Sequence, residues 1–150
     1  MSANRYFEDY AIGEREEFPA YTVTSEDIFG FATLSKDNHP AHTDLDFAAE
    51  RFGGQLAHGA LTFSLLVGMT VERNEHGVAY GYDRLRFPSP LLAGDTLTAT
   101  SEVIDLRDHK RPEIGLVVKR YTGTRDDGAV AVVCEHLIAV TRRPATQNAT

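Results

Sequence analysis

The sequence predicts an α+β fold in which an antiparallel sheet wraps around one central apolar helix. Helical patterns occupy the first half of the chain, and four segments rich in β-branched residues follow, near 78–87, 96–105, 114–122 and 129–141. Residues 56–71 are apolar on nearly every face, which is typical of a helix surrounded by other structure. Helices first and strands later favour an antiparallel sheet, and only a curled sheet would cover such a helix on several sides.

The first half has two helix signals separated by a loop. Thr24 to Asp27 resembles a capping box, and it precedes the apolar residues of a first helix. A second helix is expected to start within residues 43–46 and to end at the glycine pair Gly53 and Gly54. In the second half, Asp127 followed by Gly128 indicates a hairpin.

The length of 150 residues fits one domain, which would bury roughly two thirds of the surface that its unfolded chain exposes. We expect a single domain over residues 1–150, with a core over about 6–141 and a loose tail over 142–150. Four strands would leave part of the apolar helix uncovered. A homo-oligomer, most simply a two-fold dimer, is therefore expected.

Composition and charge limit the function classes. The apolar fraction of 42% and the charged fraction of 25% are ordinary for a folded protein, and the formal net charge of −7 disfavours nucleic acid and anionic membranes as partners. Basic residues at Lys119 with Arg120, at Arg84 with Arg86, and within 107–111 permit a local site for an anionic group, although such clusters are usually solvated.

Cys134 is the sole cysteine, which excludes an internal disulfide and fits a reducing compartment. The first ten residues do not resemble a secretory signal, and no apolar run reaches the roughly 20 residues that span a bilayer. These features predict a cytoplasmic protein.

The densest group of reactive side chains lies in residues 37–44, which hold two carboxylates, two imidazoles and an amide. On a continuous helix, Asp37 and His42 would point about 140° apart. Pro40 forces the chain to turn between them, and the turn can bring both side chains to one water molecule. A carboxylate and an imidazole sharing a water form an acid/base pair, which is what hydration of a conjugated double bond requires.

Simpler interpretations stand beside this one. Asp37 could cap a turn, His42 could be a satisfied, partly buried histidine, and Asp44 could cap the next helix. A metal site is a further alternative, because Asp37, His39, His42 and His58 are potential ligands. Their spacing matches no established zinc motif, so we expect no metal.

A second candidate element is Ala57-His58-Gly59, at the start of the apolar helix. Backbone N–H groups there lack partners within the helix, and Gly59 has no side chain to obstruct a ligand. The Gly59 N–H could therefore stabilise negative charge on a thioester carbonyl, as an oxyanion hole does. The alternative is a glycine needed only for close packing.

Together these residues resemble the MaoC-like family of hot-dog-fold hydratases, which includes the (R)-specific enoyl-CoA hydratases. The resemblance covers about residues 23–140 and rests on three motifs in order. These are Asp37, Pro40 and His42 in an Asp-x-Asn-Pro-x-His loop, then Ala57-His58-Gly59, and then residues 85–87, Pro90 and 94–97. Two departures concern substrate preference: His39 stands where the family usually has Asn, and Val67 stands where a Ser is expected.

The resemblance implies a hot-dog fold, a dimer, and reversible syn addition of water to a trans-2-enoyl-CoA to give a 3-hydroxyacyl-CoA. It implies that Asp37 and His42 act as a coupled acid/base pair, with no cofactor beyond the coenzyme A of the substrate. Gly59 would form the oxyanion hole, and the expected substrate-binding residues are Asn38, His39, Pro40, Ala57, His58 and Arg86. An acyl pocket, if it forms here, is expected among Phe31, Leu34, Phe52, Leu56 and Leu61.

Two other functions remain open from the sequence. A hot-dog thioesterase would direct the activated water at the thioester carbonyl instead of at the β-carbon, and the fold alone does not exclude it. A catalytically silent acyl-CoA-binding accessory subunit is a second alternative. The physiological direction, hydration or dehydration, is also open.

Overall fold

The structure of the protein, a computed structural model, describes residues 4–145. A short 3₁₀ helix at Phe7–Asp9 precedes the first strand, and the other elements follow in chain order. They are β1 (Arg15–Thr22), α1 (Ser25–Ser35), α2 (Pro40–Thr43), α3 (Leu45–Phe52), α4 (Gly59–Thr70), β2 (Gly77–Arg86), β3 (Thr96–Asp108), β4 (Ile114–Arg125) and β5 (Val130–Thr141). The five strands form one antiparallel sheet in the order β1-β3-β4-β5-β2.

The apolar helix α4 lies at the centre of the sheet's concave face. It packs against β1, β3, β4 and β5. Leu61 and Leu66 of α4 are buried, and Leu66 belongs to a core cluster that includes Ala99 of β3 and Val132 and Cys134 of β5. Burying a leucine side chain contributes about 1.5–3 kcal/mol. The prediction of an antiparallel sheet wrapped around a central apolar helix is confirmed.

The helix boundaries follow the capping residues. Thr24 and Asp27 form the expected capping box at the start of α1. Asp44 caps α3 by accepting a hydrogen bond from the Phe47 N–H at 3.1 Å, and Gly53, with φ of 81°, ends α3. The helix predicted from residue 56 begins only at Gly59, because residues 56 and 57 make backbone bridges to Leu92 and Leu91.

The strand β1 and the short helix α2 were not predicted. Strand β1 is mostly exposed and contains Pro19, so it lacks the alternation of apolar and polar residues that identifies a strand. It pairs with β3 at the edge of the sheet, and a register shift between Phe18 and Tyr21 accommodates the proline. The prediction that the first half of the chain is helical is therefore wrong at this strand.

Two expectations about charged residues also need correction. Residue Lys119 belongs to no solvated basic patch: it is buried and paired with Glu72 at 2.8 Å. The tail expected to be loose from residue 142 begins with two anchored arginines, since Arg142 pairs with Asp108 at 2.6 Å and Arg143 pairs with Asp9. Residues 146–150 of that tail lie outside the described residues.

Within residues 4–145, no helix is both long enough and apolar enough to cross a membrane.

The buried histidine of β5 makes the fold sensitive to acid. Burial lowers the pKa of His136 to about 4, and the nearby charge of Lys119 adds to this shift. Because the unfolded side chain titrates near 6.5, the unfolded state binds the extra proton first as the pH falls. We expect the free energy of unfolding to decrease between about pH 6.5 and pH 4, by at most about 3 kcal/mol from this residue.

Urea unfolding at a series of pH values tests this expectation. In His136→Gln the decrease over the same range should be smaller, whereas in His109→Gln, which changes a half-buried histidine, it should match the unaltered protein. An equal decrease in all three proteins would contradict the assignment.

Candidate active site

Three side chains from separate elements meet in one cluster. Asp37 lies in the loop after α1, His42 lies on α2, and His58 immediately precedes α4. One potential ligand or proton-transfer atom from each lies within 4.8 Å of the others. The turn at Pro40 thus brings Asp37 and His42 together, as the sequence predicts. His58, 16 residues after His42, joins them from the start of α4.

The ring of His42 is fixed by a hydrogen bond at one nitrogen. Its Nδ1 lies 2.6 Å from the backbone carbonyl of Leu56, and because a carbonyl only accepts, Nδ1 carries the hydrogen. In the neutral ring Nε2 is then an unprotonated base. This Nε2 lies 3.9 Å from Asp37 Oδ2, too far for a direct hydrogen bond.

The gap between Asp37 and His42 matches the dimensions of one bridging water. A water at about 2.8 Å from each atom would subtend an angle of about 90° between them, which suits two hydrogen bonds from one molecule. The His42 side chain is 10% exposed and the Asp37 side chain is 56% exposed. The pair is therefore reachable from one side and shielded on the other.

Local hydrogen bonds explain why the loop holds this shape. Pro40 is the first residue of α2, and His39 caps that helix by accepting from the Ala41 N–H at 3.1 Å. Buried Gln55 donates to the His42 carbonyl at 2.8 Å and accepts from the Ser25 hydroxyl at 2.5 Å. Sequence reasoning missed Gln55 and Ser25, because nothing in their local sequence marks a contact across 30 positions.

His58 supports both partners of the pair. Its ring stacks on His42 with 3.7 Å between ring centroids, and its Nε2 donates to the Asp37 carbonyl at 2.9 Å. Its Nδ1 is buried and has no hydrogen-bond partner among residues 4–145. Burial lowers the pKa of His58, which favours the neutral form of its ring.

Gly59 opens α4, and its N–H has no acceptor within the helix. A Cβ at this position would lie 3.0 Å from the Phe87 ring, so the glycine also allows Phe87 to pack closely. The structure therefore agrees with the interpretation that close packing requires a glycine at this position. The oxyanion role of the N–H remains a prediction.

The other predicted site residues differ in how they relate to the Asp37–His42–His58 cluster. Pro40 and His39 build the turn, with the His39 ring 6.1 Å from that of His42. Ala57 belongs to the apolar core, and Asn38 is exposed, its carbonyl accepting from Thr43. Arg86 is exposed at the end of β2, where its guanidinium donates to the Leu85 carbonyl.

The five residues expected to line an acyl pocket differ widely in burial. Leu34 and Phe52 are exposed, at 78% and 41%, because they lie on outer faces of α1 and α3. Leu61 is buried in the main core, and Phe31 packs edge-on against His58. The assignment of an acyl pocket to these five residues stays a prediction.

Asp37, His42 and His58 are also the group of the described residues that could hold a metal ion. One nitrogen of each ring is already bonded to a carbonyl, which leaves His42 Nε2 and the buried His58 Nδ1. These two nitrogens belong to rings that are stacked with 19° between their planes. The expectation that no metal binds here stays a prediction.

A curled sheet around an apolar helix, with Asp37, His42 and His58 gathered beside the helix N-terminus, defines a protein with a hot-dog fold. The chain matches the MaoC like domain family model over residues 8–125, and it belongs to that family. It is 36% identical over 108 residues to an (R)-specific enoyl-CoA hydratase of Rhodospirillum rubrum, covering 71% of this chain and 74% of the relative.

Solved structures agree with this assignment. An Archaeoglobus protein described as a monoamine oxidase regulatory protein superposes with a TM-score of 0.86 at 32% identity, covering 94% of this chain and 97% of the other. A MaoC-like dehydratase from Rhodospirillum rubrum gives a TM-score of 0.81 at 26% identity, covering 94% and 99%. The chain is thus a member of a family of hydratases and dehydratases.

Proposed function

We propose that the protein catalyses the reversible syn addition of water to a trans-2-enoyl-CoA, giving a 3-hydroxyacyl-CoA. The observation that carries this proposal is the 3.9 Å separation of Asp37 Oδ2 and His42 Nε2, which suits one water held between two proton acceptors. The similar Rhodospirillum rubrum protein, named an (R)-specific enoyl-CoA hydratase, supports the same reaction and the R configuration.

The proposed reaction uses the two groups as a coupled pair. As the water oxygen bonds to C3 of the substrate, one of its hydrogens passes to the pair, and the C2–C3 π electrons move toward the thioester carbonyl. The pair then delivers a proton to C2 from the same face. Because His42 Nδ1 stays bonded to the Leu56 carbonyl, Nε2 is the nitrogen that gains and loses the proton.

Negative charge develops on the thioester oxygen during this addition, and the Gly59 N–H is the proposed donor to it. Gly59→Pro removes this N–H while proline remains compatible with the first position of a helix. His58 already has φ of −55° and ψ of 142°, which the residue before a proline can adopt. We expect kcat to fall about 10²-fold, as for other oxyanion donors.

Gly59→Ala is the matched control, because it adds a Cβ near Phe87 but keeps the N–H. Its kcat should exceed that of Gly59→Pro by at least about tenfold. Equal losses in the two variants would assign Gly59 to packing alone.

We further propose a homodimer joined at the β2 edge. Strand β2 ends the sheet, and Val78 and Tyr80 on it are 68% and 56% exposed. The opposite edge, β1, has exposed Glu16 and Glu17 in its sequence, which discourage strand pairing. An apolar edge on one side and a charged edge on the other favour two-fold association through β2.

Sedimentation equilibrium at micromolar concentration should give twice the chain mass of 16.6 kDa. Tyr80→Lys should shift the mass toward the monomer, whereas Glu17→Lys on the other edge should leave it unchanged. A monomeric unaltered protein, or a dimer indifferent to Tyr80→Lys, would contradict the β2 interface.

The activity itself is tested with crotonyl-CoA. Hydration lowers the absorbance of the conjugated enoyl thioester and leaves the thioester intact, so no free thiol appears. A thiol reagent in a parallel sample reports thioester cleavage. Thiol release without hydration would replace the hydratase by a thioesterase, and neither change would support a binding subunit.

A further inference from the structure

Residues 55–58, called here the supporting segment, lie against the loop that carries Asp37 and His42. The backbone of the segment is itself anchored to residues 91–93, through hydrogen bonds of 2.8 and 2.9 Å and an antiparallel bridge at Leu56. Backbone pairing of this kind leaves the segment little freedom to move. It can therefore act as a fixed support for the loop.

Two buried side chains of the supporting segment hold the backbone of the acid/base pair. Gln55 Nε2 donates to the His42 carbonyl at 2.8 Å, and His58 Nε2 donates to the Asp37 carbonyl at 2.9 Å. Gln55 is 6% exposed and His58 is 2% exposed, so bulk water does not compete for either bond. The backbone positions of Asp37 and His42 thus depend on two side chains that are three positions apart.

The helix α2, which carries His42, is too short to keep its place unaided. It has four residues, and a helix of that length is not stable without tertiary contacts. Among residues 4–145, three hydrogen bonds join it to the supporting segment. The Leu56 N–H donates to the Ala41 carbonyl at 3.0 Å, His42 Nδ1 donates to the Leu56 carbonyl at 2.6 Å, and Gln55 donates to the His42 carbonyl. Leu56 contributes only backbone groups, so Gln55 provides the bond that its own side chain determines.

Ser25 orients the amide of Gln55. Because the His42 carbonyl only accepts, Gln55 Nε2 faces it, and Oε1 accepts from the Ser25 hydroxyl at 2.5 Å. Hydrogen bonds in series strengthen one another. Ser25 is the first residue of α1, and Asp37 follows the end of that helix. The chain from Ser25 through Gln55 to His42 therefore links the elements that carry both partners of the pair.

The geometry of the pair tolerates little displacement. Asp37 Oδ2 and His42 Nε2 lie 3.9 Å apart, which suits one water bonded to both. A shift of His42 toward Asp37 would replace the water by a direct contact, and a shift away would leave the water bonded to one group only. Displacements of about 1 Å at a reacting group can lower a rate about 10²-fold.

We propose that Gln55 is a positioning residue, which sets the distance between Asp37 and His42 by holding the His42 carbonyl. It acts through His42 and takes no part in proton transfer. The inference rests on the proposed function, because the distance affects a rate only if the two groups share the reacting water.

Gln55→Met tests the proposal, because methionine fills the same buried space without a hydrogen-bond donor. We expect kcat for crotonyl-CoA hydration to fall about 30-fold, with KM changed less than about twofold since Gln55 does not reach the substrate. Ser25→Ala keeps the bond from Gln55 to His42 and should lower kcat only about threefold.

Thr70→Val is the matched control. It removes another buried side-chain bond, from the Thr70 hydroxyl to the Leu66 carbonyl at 2.8 Å, but at the opposite end of α4. Its kcat should be unchanged. A kcat loss in Gln55→Met no larger than in Thr70→Val, or a loss that appears in KM alone, would overturn the proposal.

Nuclear magnetic resonance of ¹⁵N-histidine-labelled protein provides a readout that needs no substrate. The proton on His42 Nδ1, held in a bond of 2.6 Å, should resonate far downfield. In Gln55→Met this signal should move upfield as the ring shifts and the bond lengthens, whereas in Thr70→Val it should stay in place. An unmoved signal in Gln55→Met would also overturn the proposal. A moved signal in a protein that does not hydrate crotonyl-CoA would instead overturn the proposed function, while supporting the effect of Gln55 on the His42 ring.

Discussion

Asp37→Asn is expected to lower kcat for crotonyl-CoA hydration about 10³-fold while leaving the fold intact. The amide cannot exchange a proton with the water beside His42 Nε2, so one half of the acid/base pair is lost. Asp37 is exposed, and its backbone carbonyl still accepts from His58, so little stability depends on the carboxylate. His42→Ala should lower kcat by a similar factor.

Asp44→Asn is the matched control for this loss. Asp44 lies in the same loop, but its carboxylate caps α3, and asparagine caps helices equally well. Stopped-flow hydration assays and circular dichroism of all variants separate catalysis from folding. If Asp37→Asn retained activity within about tenfold of the unaltered protein, or if Asp44→Asn lost as much, the assignment of Asp37 would fail.

Lys119→Met is expected to lower the free energy of unfolding by about 3 kcal/mol. Lys119 is 7% exposed, and its amine donates to Glu72 at 2.8 Å. Burial alone would raise the pKa of Glu72, yet the hydrogen bond and charge of Lys119 hold it below its usual value. Removing the lysine leaves this carboxylate with Arg5 at 3.1 Å and the Tyr10 hydroxyl at 3.0 Å as its remaining partners, and losing one partner of a buried ion pair costs several kcal/mol.

The double variant Lys119→Met with Glu72→Gln should be more stable than Lys119→Met alone, because it no longer buries that carboxylate. Arg107→Met breaks an exposed pair with Asp105 and should cost less than about 1 kcal/mol. Urea denaturation measures all three. A loss in Lys119→Met no larger than in Arg107→Met would show that the buried pair contributes little.

The sequence was sufficient for the features that depend on local patterns. The apolar residues on every face of α4 identify it as a central helix. Asp44 marks the start of α3 because its side chain caps the helix, and Gly53 marks its end because glycine adopts a positive φ readily. The approach of Asp37 to His42 was predictable because Pro40 leaves the chain few alternatives to a turn. The family resemblance rested on these same residues.

The features that the sequence did not reveal depend on long-range contacts. Strand β1 is a strand because β3 offers it hydrogen bonds, and its own residues, with Pro19, do not specify one. Gln55 donates to the His42 carbonyl from 13 positions away, and the His58 ring stacks on the His42 ring from 16 positions away. No local sequence pattern predicts either contact. Leu34 was assigned to a pocket because it is apolar, although its face of α1 is exposed.

The central claim is that Asp37 and His42 hold one water on one face of the substrate. The oxygen is then added to C3 and the proton to C2 from that same face. Hydration of crotonyl-CoA in deuterium oxide tests this directly by the stereochemistry of the product. We expect 3-hydroxybutyryl-CoA with one deuterium at C2, on the same face as the new oxygen at C3. Deuterium on the opposite face, or a mixture of the two, would contradict a single acid/base pair acting from one side.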